Sequence, residues 1–233
     1  MVSDLKKLGV RLIHCDLANS SSITRFYREF KKVCLAWDIL ILCPATLKPI
    51  GLFDELVFKE WENSVRLNFI NQMAIVHNLL SLRRKNSKLG PCVLFFSGGG
   101  INDAPTNYSA YILSKIATIK MCELLNAEIP DTRFVSIGPG WVKTKIHQET
   151  LKAKSKAGPN YKRTLEKINT DDFVPTERVL DCCDWVVNTS KKVIGGRNIN
   201  TIHDKWGDKE FEKKLFHDPN LLKLRKYGTI KSD

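Results

Sequence analysis

Long hydrophobic runs are missing from this sequence. Its longest apolar stretches, Asp38–Cys43 (DILILC) and Cys92–Phe96 (CVLFF), are strand-sized and far short of the roughly 20 residues a membrane span needs. The N-terminus, MVSDLKKLGVRLIHCDL, has neither an uninterrupted apolar segment nor a small-residue cleavage pattern, so no secretory leader is expected and the cytosol is the expected compartment. Paired cysteine motifs are missing too. The seven cysteines (Cys15, Cys34, Cys43, Cys92, Cys122, Cys182, Cys183), an odd number in apolar contexts, fit reduced buried thiols better than a disulfide framework. Adjacent Cys182 and Cys183 have no C-x-x-C companion, so no zinc site is expected. Acidic residues are scarce, 25 Asp+Glu against 37 Lys+Arg, which leaves a formal net charge of +12. The excess is mostly Lys spread along the chain without interleaved aromatics. It reads as solubility and anion steering, and neither a nucleic acid nor a membrane is expected as partner. One local excess remains: Lys143, Lys145, Lys152, Lys154, Lys156, Lys162, Arg163 and Lys167 are opposed only by Glu149 and Glu166 between Trp141 and Thr170.

What is present is enough for one core: 233 residues, 43% of them hydrophobic. Apolar strands alternate with amphipathic helical stretches, which predicts an α/β fold with a parallel sheet covered by helices on both faces. The expected strands are Val10–Cys15, Asp38–Cys43, Pro91–Phe96, Arg133–Ile137 and Arg197–Ile202. Expected helices run from Ser20 to about Cys34, with Ser20–Ser22 as N-cap, over Phe58–Trp61, from about Asn63 to Arg84, from about Asn107 to Ala127, and over Pro175–Asn188. The basic, Gly/Pro-broken stretch through Thr170 reads as a mobile loop, and Lys209 onward as a polar helical tail.

Tyr111 and Lys115 stand four apart in YSAYILSKIATIK, hence on one helix face. A free phenol titrates near 10, and a neighbouring ammonium favours the phenolate and lowers that value, which suits acid–base work. Ser97 ends a predicted strand, where ligands of open parallel sheets bind, and a hydroxyl there can polarise a carbonyl. After the next strand, Gly138-Pro139-Gly140-Trp141-Val142-Lys143-Thr144 lets backbone approach a flat ligand.

From Val10 to about Trp206 these residues resemble the short-chain dehydrogenase/reductase family, a Rossmann-like doubly wound fold. The family's catalytic Tyr-x-x-x-Lys resembles Tyr111 and Lys115, its active-site Ser resembles Ser97, and its proton-relay Asn resembles Asn68 in SVRLNFIN. Its Pro-Gly-x-x-x-Thr segment at the nicotinamide resembles Pro139–Thr144. The resemblance implies NAD(P)-dependent hydride transfer between a carbonyl and a secondary alcohol, with NAD or NADP contacted by Asp16, Leu17, Ala45, Tyr111, Lys115, Pro139, Gly140, Val142 and Thr144. It also implies a small-molecule substrate and a homodimer or homotetramer built through the helices of Asn68 and Tyr111; that the substrate is anionic is an expectation resting on the basic stretch after Thr144, which would steer it. The C-terminal GGRNINTIHDKW and DPNLLKLRKYG resemble a subgroup associated with surface polysaccharides and nucleotide sugars.

Two departures stand out. The family's Asn-Asn-Ala-Gly turn is replaced by Leu42-Cys43-Pro44-Ala45, without side chains to brace the cofactor loop. The opening strand and its T-G-x-x-x-G-x-G turn, which receives the pyrophosphate, have no counterpart in the sequence. A single truncated domain over 1–206, lacking the first β-α-β segment, followed by a tail over 207–233, is therefore expected. Val10–Cys15 would lose its pairing partner, giving either an exposed sheet edge or, as preferred, a chain whose true start lies upstream. The alternative to an enzyme is a catalytically silent relative kept as a binding or scaffold module, or a non-functional fragment.

Overall fold

The computed structural model describes residues 2–226. A short helix, α1 (Val2–Lys7), precedes α2 (Ser20–Val33) and strand β1 (Ile39–Leu42). Helix α3 (Phe58–Val65) continues through a π turn, Arg66–Ile70, into α4 (Asn71–Leu79). Then come β2 (Cys92–Phe96), α5 (Ser109–Glu128), β3 (Arg133–Gly138), α6 (His147–Ala153), α7 (Pro159–Thr170) and α8 (Thr176–Val187). Helix α9 (Lys191–Ile194), strand β4 (Asn198–Asn200) and α10 (Lys209–His217) complete it. The last part of the expected tail, from 227 on, lies outside the described residues.

The four strands form one parallel sheet in chain order, β1-β2-β3-β4. Period-two alternation sorts their side chains into two cores. Val93, Phe95 and Phe134 face Ile75, Val76, Leu79 and Cys122 from α4 and α5. Cys92, Leu94, Val135 and Ile137 face Cys182, Val186, Ile194 and Leu215 on the other side. Because β2 and β3 are covered on both faces, their apolar runs are nearly unbroken. Helix α10 is anchored through Leu215, fully buried, and Trp185 Nε1 donates to Glu212 at 2.6 Å. None of the described helices is long and apolar enough to cross a membrane.

Three expectations are corrected. Val10–Cys15 forms no strand, because no described neighbour supplies ladder partners for its backbone. Val10 and Leu12 remain 42% and 44% exposed, and Ile39 and Ile41 on the edge strand β1 46% and 48%. The N-cap of α2 is Asn19, whose Oδ1 accepts from the Ser21 and Ser22 amides at 2.9 and 3.3 Å. Ser22 Oγ instead accepts from the Asp16 amide at 2.9 Å. The basic stretch after Trp141 is not a loop but two helices. Gly158, at φ +55°, and Pro159 punctuate the junction between α6 and α7, with Pro in the first turn where its missing N–H is harmless. That pair is fastened down: Tyr108 and Thr150 hydroxyls meet at 2.9 Å, Asn107 Nδ2 donates to Lys156 O at 3.0 Å, and Ile50, Tyr108 and Ala157 form a small third core.

Candidate active site

The carboxyl end of β2 brings together the predicted acid–base residues. Lys115 is 3% exposed, and its Nζ donates to Phe96 O at 2.7 Å, the carbonyl immediately before Ser97. The ammonium lies 5.6 Å from the centroid of the Tyr111 ring, one helical turn away. The Tyr111 hydroxyl fits only because residue 98 is Gly: a Cβ there would sit 2.5 Å from the Tyr111 oxygen. Ser97 is buried beside them, but its Oγ donates sideways to Asn198 Oδ1 on β4 at 2.8 Å. Tyr111 and Ser97 share no hydrogen bond among the described residues. A hydroxyl has one donor and two acceptor lone pairs, so Ser97 presents a carbonyl with a donor only after Asn198 releases it.

The electrostatics differ from the sequence expectation. Burial pushes the Tyr111 phenol up to about 12 and pulls the Lys115 ammonium down to about 8. The ammonium does not lower the phenol because it lies over the ring and is hydrogen-bonded to Phe96 O, while both groups are withdrawn from water. The Lys115 value has a stability consequence. As pH rises from about 8 towards the unfolded value of 10.5, the folded state loses the proton first, the unfolded state binds more, and stability from this group increases. The full gain is on the order of 3 kcal/mol. Comparing urea unfolding of the parent with Lys115→Met between pH 7.5 and 9.5 checks it. The variant's advantage should shrink with pH; a pH-independent difference would leave the lysine ordinary. The lost bond to Phe96 O adds only a constant offset.

Asn68 lies in the π turn, a feature frequent at functional sites. Its side chain clamps Thr46: Oδ1 accepts from Thr46 N and Nδ2 donates to Thr46 O, both at 2.9 Å. Gln72 Nε2 adds bonds to Pro44 O at 2.8 Å and Asn68 O at 3.0 Å. The Leu42–Ala45 turn thus lacks its own polar side chains yet is braced from outside. Glu149 on α6 completes the brace, accepting from Leu47 N at 2.6 Å and Thr46 Oγ1 at 3.0 Å.

The other predicted cofactor residues occupy the rim. Asp16 is exposed and accepts from Ala18 N at 2.9 Å, and Leu17 O accepts from Asn71 Nδ2 at 2.6 Å, tying this turn to the helix run of Asn68. Ala45 is half-buried beside the clamped Thr46. Gly140 holds φ +72° with Val174 and Ile202 pressed against its bare Cα, and Val142 O meets His147 Nε2 at 2.8 Å. Pro139 is half-buried and Thr144 exposed. Asn198, Thr46 and Glu149 were not anticipated. In the sequence Glu149 reads only as counter-charge, and no local pattern marks a carboxylate that bonds a backbone 102 residues away.

The family model described as short chain dehydrogenase matches residues 1–155. A curated relative, 3-ketodihydrosphingosine reductase TSC10 of Candida glabrata, is 22% identical over 175 residues, covering 75% of this chain and 44% of its own length. The chain therefore spans less than half of that relative. Among solved structures, the KRED1-Pglu enzyme superposes with a TM-score of 0.73 at 23% identity, over 84% of this chain and 85% of the other. A putative short chain dehydrogenase from Escherichia coli, complexed with NADPH, gives 0.62 at 16% identity, over 86% and 79%. With two thirds of its length inside that family model, the chain belongs to the short chain dehydrogenase family.

Proposed function

We propose that the chain is a nicotinamide-dependent oxidoreductase that moves hydride between NAD(P) and a carbonyl or secondary alcohol. The observation that carries this reading is the buried Lys115 amine, one turn from Tyr111 and bonded to the carbonyl that precedes Ser97. In this scheme Tyr111 exchanges a proton with the substrate oxygen, Ser97 holds that oxygen, Lys115 supports Tyr111, and Asn68 orders the relay. A bound nicotinamide would supply the hydride in reduction and accept it in oxidation. The donor set suits its ribose: an ammonium has three N–H donors, and Lys115 directs one of them to Phe96 O. Pro139, Gly140, Val142 and Thr144 would line the nicotinamide, Ala45 the ribose side, and Asp16 and Leu17 the adenine. For the pyrophosphate the described residues offer no equivalent support. In the triplet Gly98–Gly100, Gly98 packs under Tyr111 and Gly100 under Ile112; it lies well before the start of α5 and presents no helix N-terminus.

The Ser97 hydroxyl held by Asn198 favours a second reading: a catalytically silent relative serving as a binding or scaffold module. Isothermal titration with NADH and NADPH separates the two. The oxidoreductase reading expects one of them to bind, with weaker binding in Lys115→Met; no heat from either at millimolar cofactor would remove it for this chain. A homodimer or homotetramer through α3–α4 and α5 is supported by the exposed Phe58, Ile70, Leu113 and Leu124 on these elements. Sedimentation over a concentration series checks it, and a monomer at all concentrations would refute it.

A further inference from the structure

Above the carboxyl ends of β3 and β4 lies a cavity of about 270 Å³ with Trp141, Phe173 and Ile202 as apolar wall and Lys167, Asp172 and Arg178 as charged wall. Its position ties it to the reacting end. Ile202 and Val174 press on Gly140, where a Cβ would lie 2.5 and 2.8 Å from them, and Gly138, two residues earlier, has its Cβ position 3.3 Å from Ser97 Oγ. Two residues of chain span at most about 7 Å. The cavity wall is thus a small-molecule length from the active-site hydroxyl.

The charges are unequal. Lys167 is neutralised by an ion pair with Asp172. Arg178 has no carboxylate partner among the described residues. Its Nε donates to Thr201 O at 2.7 Å and its guanidinium carbon lies 5.5 Å from the centroid of the Trp206 ring, which fixes the fork, while its remaining donors meet no protein acceptor there. Arg163 also lacks a carboxylate among the described residues, and lies 5.4 Å from the centroid of the Trp141 ring that walls the cavity. A positioned guanidinium with free paired donors matches the geometry of an oxyanion. The volume sits at the small end of ligand pockets, too small for a dinucleotide or a long acyl chain.

Building on the oxidoreductase reading, we propose that this cavity binds the remote end of the substrate, and that this end is an oxyanion, a phosphate or a carboxylate, held by Arg178 against the Trp141 wall. The substrate class is then a small carbonyl or secondary alcohol with a terminal anionic group. The test needs no cofactor, so it stands apart from turnover. Inorganic phosphate and acetate are titrated into the full chain, with chloride at matched ionic strength, and tryptophan fluorescence and the melting temperature are followed. Saturable binding of phosphate or acetate in the millimolar range is expected. It should weaken by about tenfold or more in Arg178→Met, and less in Arg178→Lys, which keeps the charge without the fork. Stronger phosphate than acetate binding assigns a phosphate; the reverse assigns a carboxylate. No saturation beyond the chloride response, or equal affinity in Arg178→Lys and Arg178→Met variants that both retain parental circular dichroism and parental affinity, overturns the proposal. If NADPH binds while neither anion does, the anion site falls and the oxidoreductase reading stands.

Discussion

Tyr111→Phe should lower kcat/KM by about 10²–10⁴ while leaving cofactor affinity nearly unchanged. The substitution removes one oxygen and keeps the ring, so the ring's place beside Lys115 and near Gly98 is preserved. Loss confined to kcat identifies a group needed only during proton transfer. On the oxidoreductase reading, the same residue sets how the rate in each direction depends on pH. A phenol held at about 12 is protonated at neutral pH and acts as a donor, which serves carbonyl reduction. Oxidation of the alcohol needs the phenolate, so its rate should climb about tenfold per pH unit across the neutral range. Steady-state kinetics of parent and variant in both directions measure this. A variant within a few-fold of the parent would remove Tyr111 from the chemistry.

The second large effect concerns stability. Arg133 opens β3, is 4% exposed, and has no carboxylate partner among the described residues. Its guanidinium serves backbone carbonyls instead: Val187 O and Thr189 O at 2.9 Å and Val186 O at 3.3 Å around the end of α8, and Gly90 O at 2.9 Å before β2. A cation at a helix C-terminus meets both the unpaired carbonyls and the negative end of the dipole. Arg133→Met relieves the desolvation of a buried charge but strands Val187 O, Thr189 O and Gly90 O, each worth about 1–3 kcal/mol when buried and unmade, while Val186 O keeps the Thr189 amide. A net loss of roughly 3 kcal/mol or more is expected in urea unfolding, with Arg133→Lys in between because a point donor cannot span four acceptors. A loss below about 0.5 kcal/mol would mean that water replaces the guanidinium.

Much of the architecture was legible because its signals are local. Strands Asp38–Cys43, Pro91–Phe96 and Arg133–Ile137 read correctly to within a residue or two; the last two are covered on both faces and need unbroken apolar runs, and the first, at the sheet edge, keeps a run of the same kind. The misread stretch after Trp141 shows the opposite case. Its charges suggested a loop, but α6 and α7 need only one apolar stripe each, and Thr150, Ala157 and Thr164 supply small buried contacts that composition conceals.

The sequence by itself determined that a phenol and an amine share a helix face and that a serine follows a buried strand, because helical and strand periods are properties of the backbone. Only the tertiary structure decided what surrounds them. Asn198 reaches Ser97 across 101 residues, Glu149 reaches Thr46 across 103, and burial moves the phenol up and the amine down. Pairing between distant segments and the withdrawal of water depend on how elements pack, and no spacing along a chain encodes either in isolation.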